Sequence, residues 1–119
     1  MEVPKQVQDK LTHFQGIQNQ LQLIALQKQQ LMLQSTDMDN ALTELGKITD
    51  KEKIYRLVGP LLIETNKKDS EKMLKDDKEL ATTRINILEK QEKKINEKFE
   101  ELKNELQGMF GKGTGGVAQ

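Results

Sequence analysis

The chain has 119 residues, of which 34% are hydrophobic, 32% charged and 3% aromatic, so it has little material for a compact core. Lysine plus arginine equal aspartate plus glutamate at 19 each, a balance that argues against binding nucleic acid or a membrane surface. Cysteine is absent, which excludes disulfides and thiolate metal sites and fits a reducing cytoplasm. The start lacks an apolar signal region, and the longest nearly apolar run, 57–63, is too short to span a bilayer. We therefore expect a soluble cytoplasmic protein made of one structural unit.

The first predicted element is a long helix over residues 5–46. Pro4 suits the first helical turn, and between Lys5 and Leu45 only Gly16 disfavours a helix. Apolar residues recur at alternating steps of three and four, which is the period of a coiled coil. Further apolar residues lie off this seam and indicate additional contacts: Leu11, Leu23, Ala25, Leu26, Met32 and Leu33.

The middle of the chain, residues 47–68, is predicted to be a linker and a β-hairpin. Val58 and Gly59 are expected to form the tight corner, with Gly59 at positive φ and Pro60 opening the second strand. A lone two-stranded hairpin is marginally stable in water and has two unpaired edges. We therefore expect this chain to assemble with others through the apolar residues of the hairpin: Ile54, Tyr55, Leu57, Val58, Leu61, Leu62 and Ile63.

A second helix is predicted over residues 69–107. Asp69, Ser70 and Glu71 supply an N-cap and first-turn acids, and the apolar residues again recur at steps of three and four. The remainder, 108–119, contains five glycines and is expected to be a flexible tail.

The two apolar seams match each other when the chain is folded so that facing residue numbers sum to about 116. In this register Ile17 faces Phe99, Phe14 faces Leu102, and Lys28 and Glu92 lie in adjacent layers where they can pair. The predicted fold class is therefore mostly α: a long antiparallel two-helix coiled coil with a single β-hairpin at the bend.

Side chains that could support catalysis or bind a cofactor are scarce. His13 is the single histidine and so the one candidate base for a nucleophile, but it lies among glutamines on a predicted helix surface, which argues against catalysis. A histidine–cysteine metal cluster cannot be built within one chain. The carboxylates lie on predicted solvated helix faces, where a solubilising role is favoured over a calcium site. Residues 108–114 superficially resemble a phosphate-binding loop but lack its Gly-Lys-Ser/Thr ending. We expect no enzyme activity, no cofactor and no metal.

Apolar residues are also concentrated where the start of the first helix would meet the end of the second. Val7 and Leu106 can be interpreted as the last members of the seam. Val3, Leu11, Met109 and Phe110 lie off the seam or beyond its last well-formed layer. Flexible methionine and phenylalanine side chains on an exposed patch suit adaptable, low-specificity binding of apolar segments.

The order of elements, the hairpin sequence over 54–63 and the sequence Gln-Glu-Lys-Lys-Ile-Asn-Glu-Lys over 91–98 together resemble the β-type subunit of prefoldin in its archaeal form. The resemblance implies an assembly of two α-type and four β-type subunits, with two hairpins in each α-type chain, whose hairpins join into β-barrels. It also implies that the coiled-coil tips hold unfolded proteins without ATP and pass them to a group II chaperonin. By position, the client-binding set would be Val3, Val7, Leu11, Leu106, Met109 and Phe110.

A structural adaptor is the alternative function: a coiled-coil protein that dimerises through its hairpin and docks on one defined partner. A holdase should suppress the aggregation of several unrelated proteins, whereas an adaptor should suppress none. The sequence also leaves open whether Leu23, Leu26 and Leu33 meet a neighbouring subunit or face water.

Overall fold

The computed structural model describes residues 3–113 and contains two long helices joined by a two-stranded antiparallel hairpin. In chain order these elements are α1 (Lys5–Leu45), β1 (Ile54–Val58), β2 (Leu61–Thr65) and α2 (Lys67–Gly113). The predicted fold class is confirmed in its helices and its hairpin. Barrel formation between chains stays a prediction.

Helix α1 begins and ends close to where proline and glycine predict. The carbonyl of Pro4 accepts hydrogen bonds from the backbone N–H groups of Val7 and Gln8, both at 3.0 Å, which starts the helix. At the other end the N–H of Gly46 still donates to Leu42, at 3.1 Å, and the N–H of Lys47 then reaches back only three residues, to Glu44. This tighter final turn ends the helix.

The start of α2 differs from the prediction because another residue caps the helix. The Asn66 side-chain oxygen accepts a hydrogen bond from the N–H of Asp69 at 2.8 Å, and its amide nitrogen donates to the Asp69 carboxylate at 2.9 Å. Asn66 is therefore the N-cap residue, so helical geometry begins at Lys67 and not at 69. Asp69 is then a first-turn acid, which the helix dipole favours.

The end of α2 also differs from the prediction, because the helix continues through Gly113 and does not stop near Gln107. A glycine inside a helix costs only about 1 kcal/mol relative to alanine, and no proline follows Gly108 to break the backbone pattern. The predicted flexible tail is thus helical over 108–113, and its remaining residues, 114–119, lie outside the described part of the chain.

The turn of the hairpin consists of Gly59 and Pro60, not Val58 and Gly59 as predicted. Val58 pairs with Leu61, so Pro60 lies in the turn and β2 starts one residue later. Gly59 has φ of +56°, the left-handed conformation that the sequence predicted for it. Proline lacks an N–H group and its φ is restricted, so a turn position suits it better than a strand position.

Substituting two glycines is expected to change stability in opposite directions. Gly59→Ala should lower the free energy of unfolding by roughly 1 kcal/mol, because an L-residue is strained at this φ. Gly16→Ala should raise it by roughly 0.5–1 kcal/mol, because Gly16 is helical and a Cβ there meets nothing within 4 Å. Urea unfolding followed by circular dichroism at one protein concentration checks both. Equal shifts of the same sign would contradict the backbone argument.

The chain divides into two compact units. The terminal unit comprises the described residues 3–28 and 87–113. Its core is formed by buried Ile17, Leu102 and Leu106, and the half-buried residues packed against them are Val7, Leu11, Phe14, Leu21, Ile95 and Phe99. The rings of Phe14 and Phe99 stack with centroids 4.7 Å apart. Phe14 thus contacts Phe99, one layer from its predicted partner Leu102, because an aromatic ring reaches along the seam.

An ion pair between the helices also belongs to the terminal unit. Lys28 Nζ lies 3.0 Å from Glu92 Oε1 and 3.9 Å from Glu89 Oε1, which confirms the predicted pairing of Lys28 with Glu92. The side chains of Lys28 and Glu92 are only 20% and 28% exposed, so both charges are partly desolvated. Such a polar layer specifies the register of a coiled coil at a cost in stability.

Replacing this pair by leucine is therefore expected to stabilise the protein. The variant Lys28→Leu/Glu92→Leu should raise the free energy of unfolding by roughly 1–3 kcal/mol, because the cost of desolvating the charges disappears. The exposed pair Lys47–Glu44 provides the control: neutralising it with glutamines should change stability by less than about 0.5 kcal/mol. The urea midpoints of the unmodified chain and the two variants, measured at equal protein concentration, test this prediction. A marked loss of stability in the leucine variant would contradict it.

The hairpin unit comprises residues 29–86 and so contains the end of α1, both strands and the start of α2. Its buried residues include Leu45, Ala81 and Ser70. Lys78 forms an ion pair with Asp39, and Lys67 Nζ donates to the carbonyl of Ile48 at 3.0 Å. The first contact joins the two helices, and the second joins the start of α2 to the segment between α1 and β1.

Candidate functional site

The hairpin carries the most exposed apolar side chains among the large hydrophobic residues of the described chain. Leu57 is 70% exposed and Leu62 69% exposed, and the two lie directly opposite each other in the strand register. Tyr55, Val58, Leu61 and Ile63 are exposed as well, whereas Ile54 is half-buried. Six of the seven predicted assembly residues are thus open to solvent in the single chain. We call these seven the hairpin surface.

Strand alternation explains why both faces of the hairpin are apolar. Side chains of a strand point to opposite faces in turn, so Tyr55 and Leu57 share one face with Leu62, and Val58 and Leu61 share the other. An ordinary half-buried hairpin would alternate apolar and polar residues. Two apolar faces predict that contacts with other chains cover both faces of the hairpin.

The second predicted site, which we call the tip set, consists of Val3, Val7, Leu11, Leu106, Met109 and Phe110. Some of these residues are buried and others are exposed. Leu106 is only 6% exposed and belongs to the core of the terminal unit, and Val7 and Leu11 pack against it. Leu11 was predicted to lie off the seam, but it contributes to the seam packing. Met109 is half-buried, whereas Val3 and Phe110 are 42% and 50% exposed. In the folded chain the open apolar surface at the helix ends is therefore provided chiefly by Val3 and Phe110.

Lys10, which interrupts the apolar tip, has an ionic partner on the opposite helix. It pairs with Glu105, one residue before Leu106, and both side chains are partly solvated. An exposed pair of this kind contributes at most about 1 kcal/mol. Lys10 thus adds little to stability and places a charge beside the apolar residues.

Further exposed apolar residues lie outside both predicted sites. Leu23, Leu26 and Leu33, which the sequence left unassigned, are more than half exposed in the single chain, as is Met32. Leu80 and Ile87 on α2 are each 50% exposed and were missed by the sequence analysis. Their spacing of one heptad was the available signal, because it places them on one helix face beside the seam.

The described residues contain no catalytic or metal-binding arrangement. His13 is exposed on α1. Within residues 3–113, no three side chains of histidine, cysteine, aspartate or glutamate are grouped so that they could hold a metal ion. Neither described helix has an apolar stretch long enough to cross a membrane.

Comparison with known proteins shows the family to which this chain is related. The family model described as "Prefoldin subunit" matches residues 8–113, which is most of the chain. The chain belongs to the prefoldin family. The resemblance in the hairpin and in residues 91–98 is thereby confirmed.

Individual prefoldin subunits are similar to this chain over nearly its full length. The chain is 42% identical over 105 residues to prefoldin subunit beta of Thermococcus onnurineus, covering 88% of this chain and 90% of the relative. It is 34% identical over 110 residues to prefoldin subunit beta of Methanosarcina acetivorans, covering 92% and 94%. These similarities assign the chain to the β type of prefoldin subunit, which makes it a subunit of a chaperone.

Solved prefoldin structures show the same fold. The crystal structure of the prefoldin beta subunit from Thermococcus strain KS-1 matches with a TM-score of 0.79 and 39% identity, covering 91% of this chain and 95% of that one. The beta2 subunit from the same strain matches with a TM-score of 0.69 and 24% identity, which supports the fold alone. Prefoldin subunits of this type form complexes with other prefoldin subunits.

Proposed function

We propose that this chain is a subunit of an ATP-independent holdase that captures non-native polypeptides at the ends of its helices. The observation that carries the proposal is the pair of exposed apolar side chains, Val3 and Phe110, beside half-buried Met109. Methionine and phenylalanine adapt to many apolar shapes, so such a surface selects for exposed hydrophobicity and not for one sequence. A cytoplasmic location and the absence of a catalytic role are parts of the proposal.

The proposed assembly contains two α-type subunits and four copies of this chain, joined through their hairpins into β-barrels. The exposure of the hairpin surface in the single chain supports this arrangement, because assembly would remove Leu57 and Leu62 from water and give the unpaired strand edges partners. Closing strands into a barrel removes edges altogether.

Binding strength would come from several weak contacts. Two or three side chains at one pair of helix ends provide only a few hundred Å² of apolar surface, well below the roughly 800 Å² per partner of a stable interface. Six such ends on one base raise the effective concentration of binding surface, so a client segment released by one end is recaptured by another. A folded protein hides its apolar segments and would not be held.

Transfer to a group II chaperonin completes the proposed cycle. Weak individual contacts dissociate quickly, so a client can pass from one end to a competing apolar surface without ATP hydrolysis. The chaperonin would compete for the same client segments or for the helix ends themselves.

Suppression of aggregation tests the proposal and separates it from the adaptor. The chain is combined with its α-type partner, and two or three unrelated, chemically unfolded proteins are diluted into the complex without nucleotide. A holdase should reduce light scattering for all of them at near-equimolar ratios. An adaptor that docks on one defined partner should leave scattering unchanged, and this outcome would overturn the proposed function.

A further inference from the structure

The outer face of α1 in the terminal unit carries a second heptad pattern, separate from the seam that contacts α2. Ile17 and Ile24 of that seam are buried, whereas Leu23 and Leu26 are 56% and 52% exposed. The exposed residues of the second pattern recur at alternating steps of three and four: Gly16, Asn19, Leu23 and Leu26. Each lies two residues after a seam position, about 200° around the helix, so the pattern faces away from α2. We call these four residues the outer seam.

The positions that flank the outer seam are all glutamine. If Gly16 and Leu23 are placed at heptad position a, the flanking positions e and g are the exposed residues Gln15, Gln20, Gln22 and Gln27. Residues 11–27 contain no lysine, arginine, aspartate or glutamate. Flanking residues of like charge keep two identical helices apart, whereas glutamine does not repel its copy and both donates and accepts hydrogen bonds. The outer seam is therefore compatible with a second copy of itself.

The outer face of α2 in the same unit lacks this property. Its equivalent residues, two after each seam position, are exposed and mostly charged: Lys90, Lys94, Glu97, Glu101 and Asn104. A stripe of exposed charges is typical of a surface that faces water, since charged residues are depleted in the core of an interface. The difference indicates that α1, and not α2, presents a contact surface along the terminal unit.

The outer seam is too small to hold two free chains together. Leu23 and Leu26 are each about half exposed, so burying both would remove roughly 100 Å² of apolar surface per chain. A stable interface needs roughly 800 Å² per partner. The contact can therefore form only between copies that another interface already holds close together, where effective concentration compensates for weak affinity.

We propose that the outer seams of two copies of this chain pair as parallel helices when both copies belong to one complex. In the parallel register each residue meets its own counterpart, so leucine packs on leucine, and Asn19 faces Asn19 with amides that can bond to each other. An antiparallel pair that uses all four residues would set Asn19 against Leu23 and bury its amide without a partner. The inference rests on the proposed function in one respect, because it takes at least two copies of this chain to be joined in one complex.

Disulfide formation tests the pairing directly. The chain has no cysteine, so Leu23→Cys introduces one thiol at a residue that would meet its own counterpart. The variant is assembled with a cysteine-free α-type partner and treated with oxidised glutathione, and linked dimers of this chain are measured on a non-reducing gel. Ala25→Cys is the control, because Ala25 is exposed on the same helix but lies outside the outer seam. We expect Leu23→Cys to link at least fivefold faster than the control, at a rate that does not change when the complex is diluted.

Charges on the flanks test the parallel register. In parallel helices a residue at g lies beside the e residue of the next heptad in the other helix, so Gln22 of one copy would lie beside Gln27 of the second. In the Leu23→Cys chain, Gln22→Glu/Gln27→Glu would bring like charges together and should slow linking roughly fivefold. Gln22→Glu/Gln27→Lys would bring opposite charges together and should keep or raise the rate. Glutamate and lysine have similar helix propensities, so the difference reports pairing and not folding.

The outcomes also separate this inference from the proposed function. Equal rates for Leu23→Cys and Ala25→Cys, in a complex that sedimentation shows to hold two or more copies, would overturn the pairing and leave the proposed function standing. A complex with a single copy would overturn both the pairing and the proposed assembly. A rate that falls on dilution would place the contact between complexes, and slowing by both flank variants would show antiparallel helices, so either result would overturn the proposal. Fast, dilution-independent linking that only the glutamate pair slows would support it.

Discussion

The variant Leu57→Lys/Leu62→Glu is expected to dissociate the chaperone complex into free subunits while the chain stays helical. These two side chains are the most exposed apolar residues of the hairpin and lie opposite each other across the strands. A lysine facing a glutamate preserves a favourable cross-strand pair, so the hairpin itself should persist. Burying either charge in an assembled base would cost several kcal/mol, so subunit association should weaken roughly a thousandfold or more.

Sedimentation of the variant mixed with its α-type partner measures this effect directly. The control is Leu80→Glu/Ile87→Lys, which places the same two charges on apolar residues of α2 that are each 50% exposed. The control should assemble as the unmodified chain does. An intact complex formed by the hairpin variant would show that the hairpin surface is not the assembly site.

The variant Val3→Asp/Phe110→Lys is expected to abolish most holdase activity without affecting assembly. It removes both large exposed apolar side chains at the helix ends. Aspartate just before the start of α1 and lysine near the end of α2 complement the helix dipoles, so folding should not suffer. Because several ends act on one client, a loss at each end multiplies, and we expect at least tenfold more complex to be needed for the same suppression of scattering.

A matched control for the tip variant lies in the same unit of the chain. Leu23→Asp/Ile87→Lys introduces the same charges at residues that are 56% and 50% exposed, close to the exposures of Val3 and Phe110. Full protection by the control and loss by the tip variant would locate client binding at the helix ends. If the control loses activity and the tip variant does not, clients bind along the helices, where Leu23 and Leu26 are exposed.

Point substitutions test the tip better than truncation does. Removing residues from 106 onward would delete buried Leu106 together with exposed Phe110. Because Leu106 packs with Ile17 and Leu102, its loss would destabilise the terminal unit by roughly 2–5 kcal/mol. Loss of activity could then reflect unfolding as easily as a missing client site.

The heptad pattern predicted the contacts between the helices better than the details at their ends. The pairing of Lys28 with Glu92 follows from spacing alone, because period and register leave a long side chain few partners. Phe14 meets Phe99 one layer away from its predicted partner, since the pattern places Cα positions and not ring positions. The register was therefore predictable to about one layer.

Local hydrogen bonding explains the errors at the element boundaries. Asn66 starts α2 because its side-chain amide both accepts a hydrogen bond from the N–H of Asp69 and donates one to the Asp69 carboxylate, whereas the sequence predicted a cap among residues 69–71. Pro60 belongs to the turn because Val58 pairs with Leu61. Several residues compete for each boundary with energies that differ by about 1 kcal/mol, so sequence alone does not choose between them.

The sequence by itself determined the two helices, the hairpin between them and the antiparallel register, because these follow from periodicity, proline and glycine. Only the tertiary structure decided which apolar residues are available for binding. Val7, Leu11 and Leu106 resemble Val3 and Phe110 in sequence, but the first three pack into the core of the terminal unit. Exposure depends on what the rest of the chain covers, and that is a property of packing.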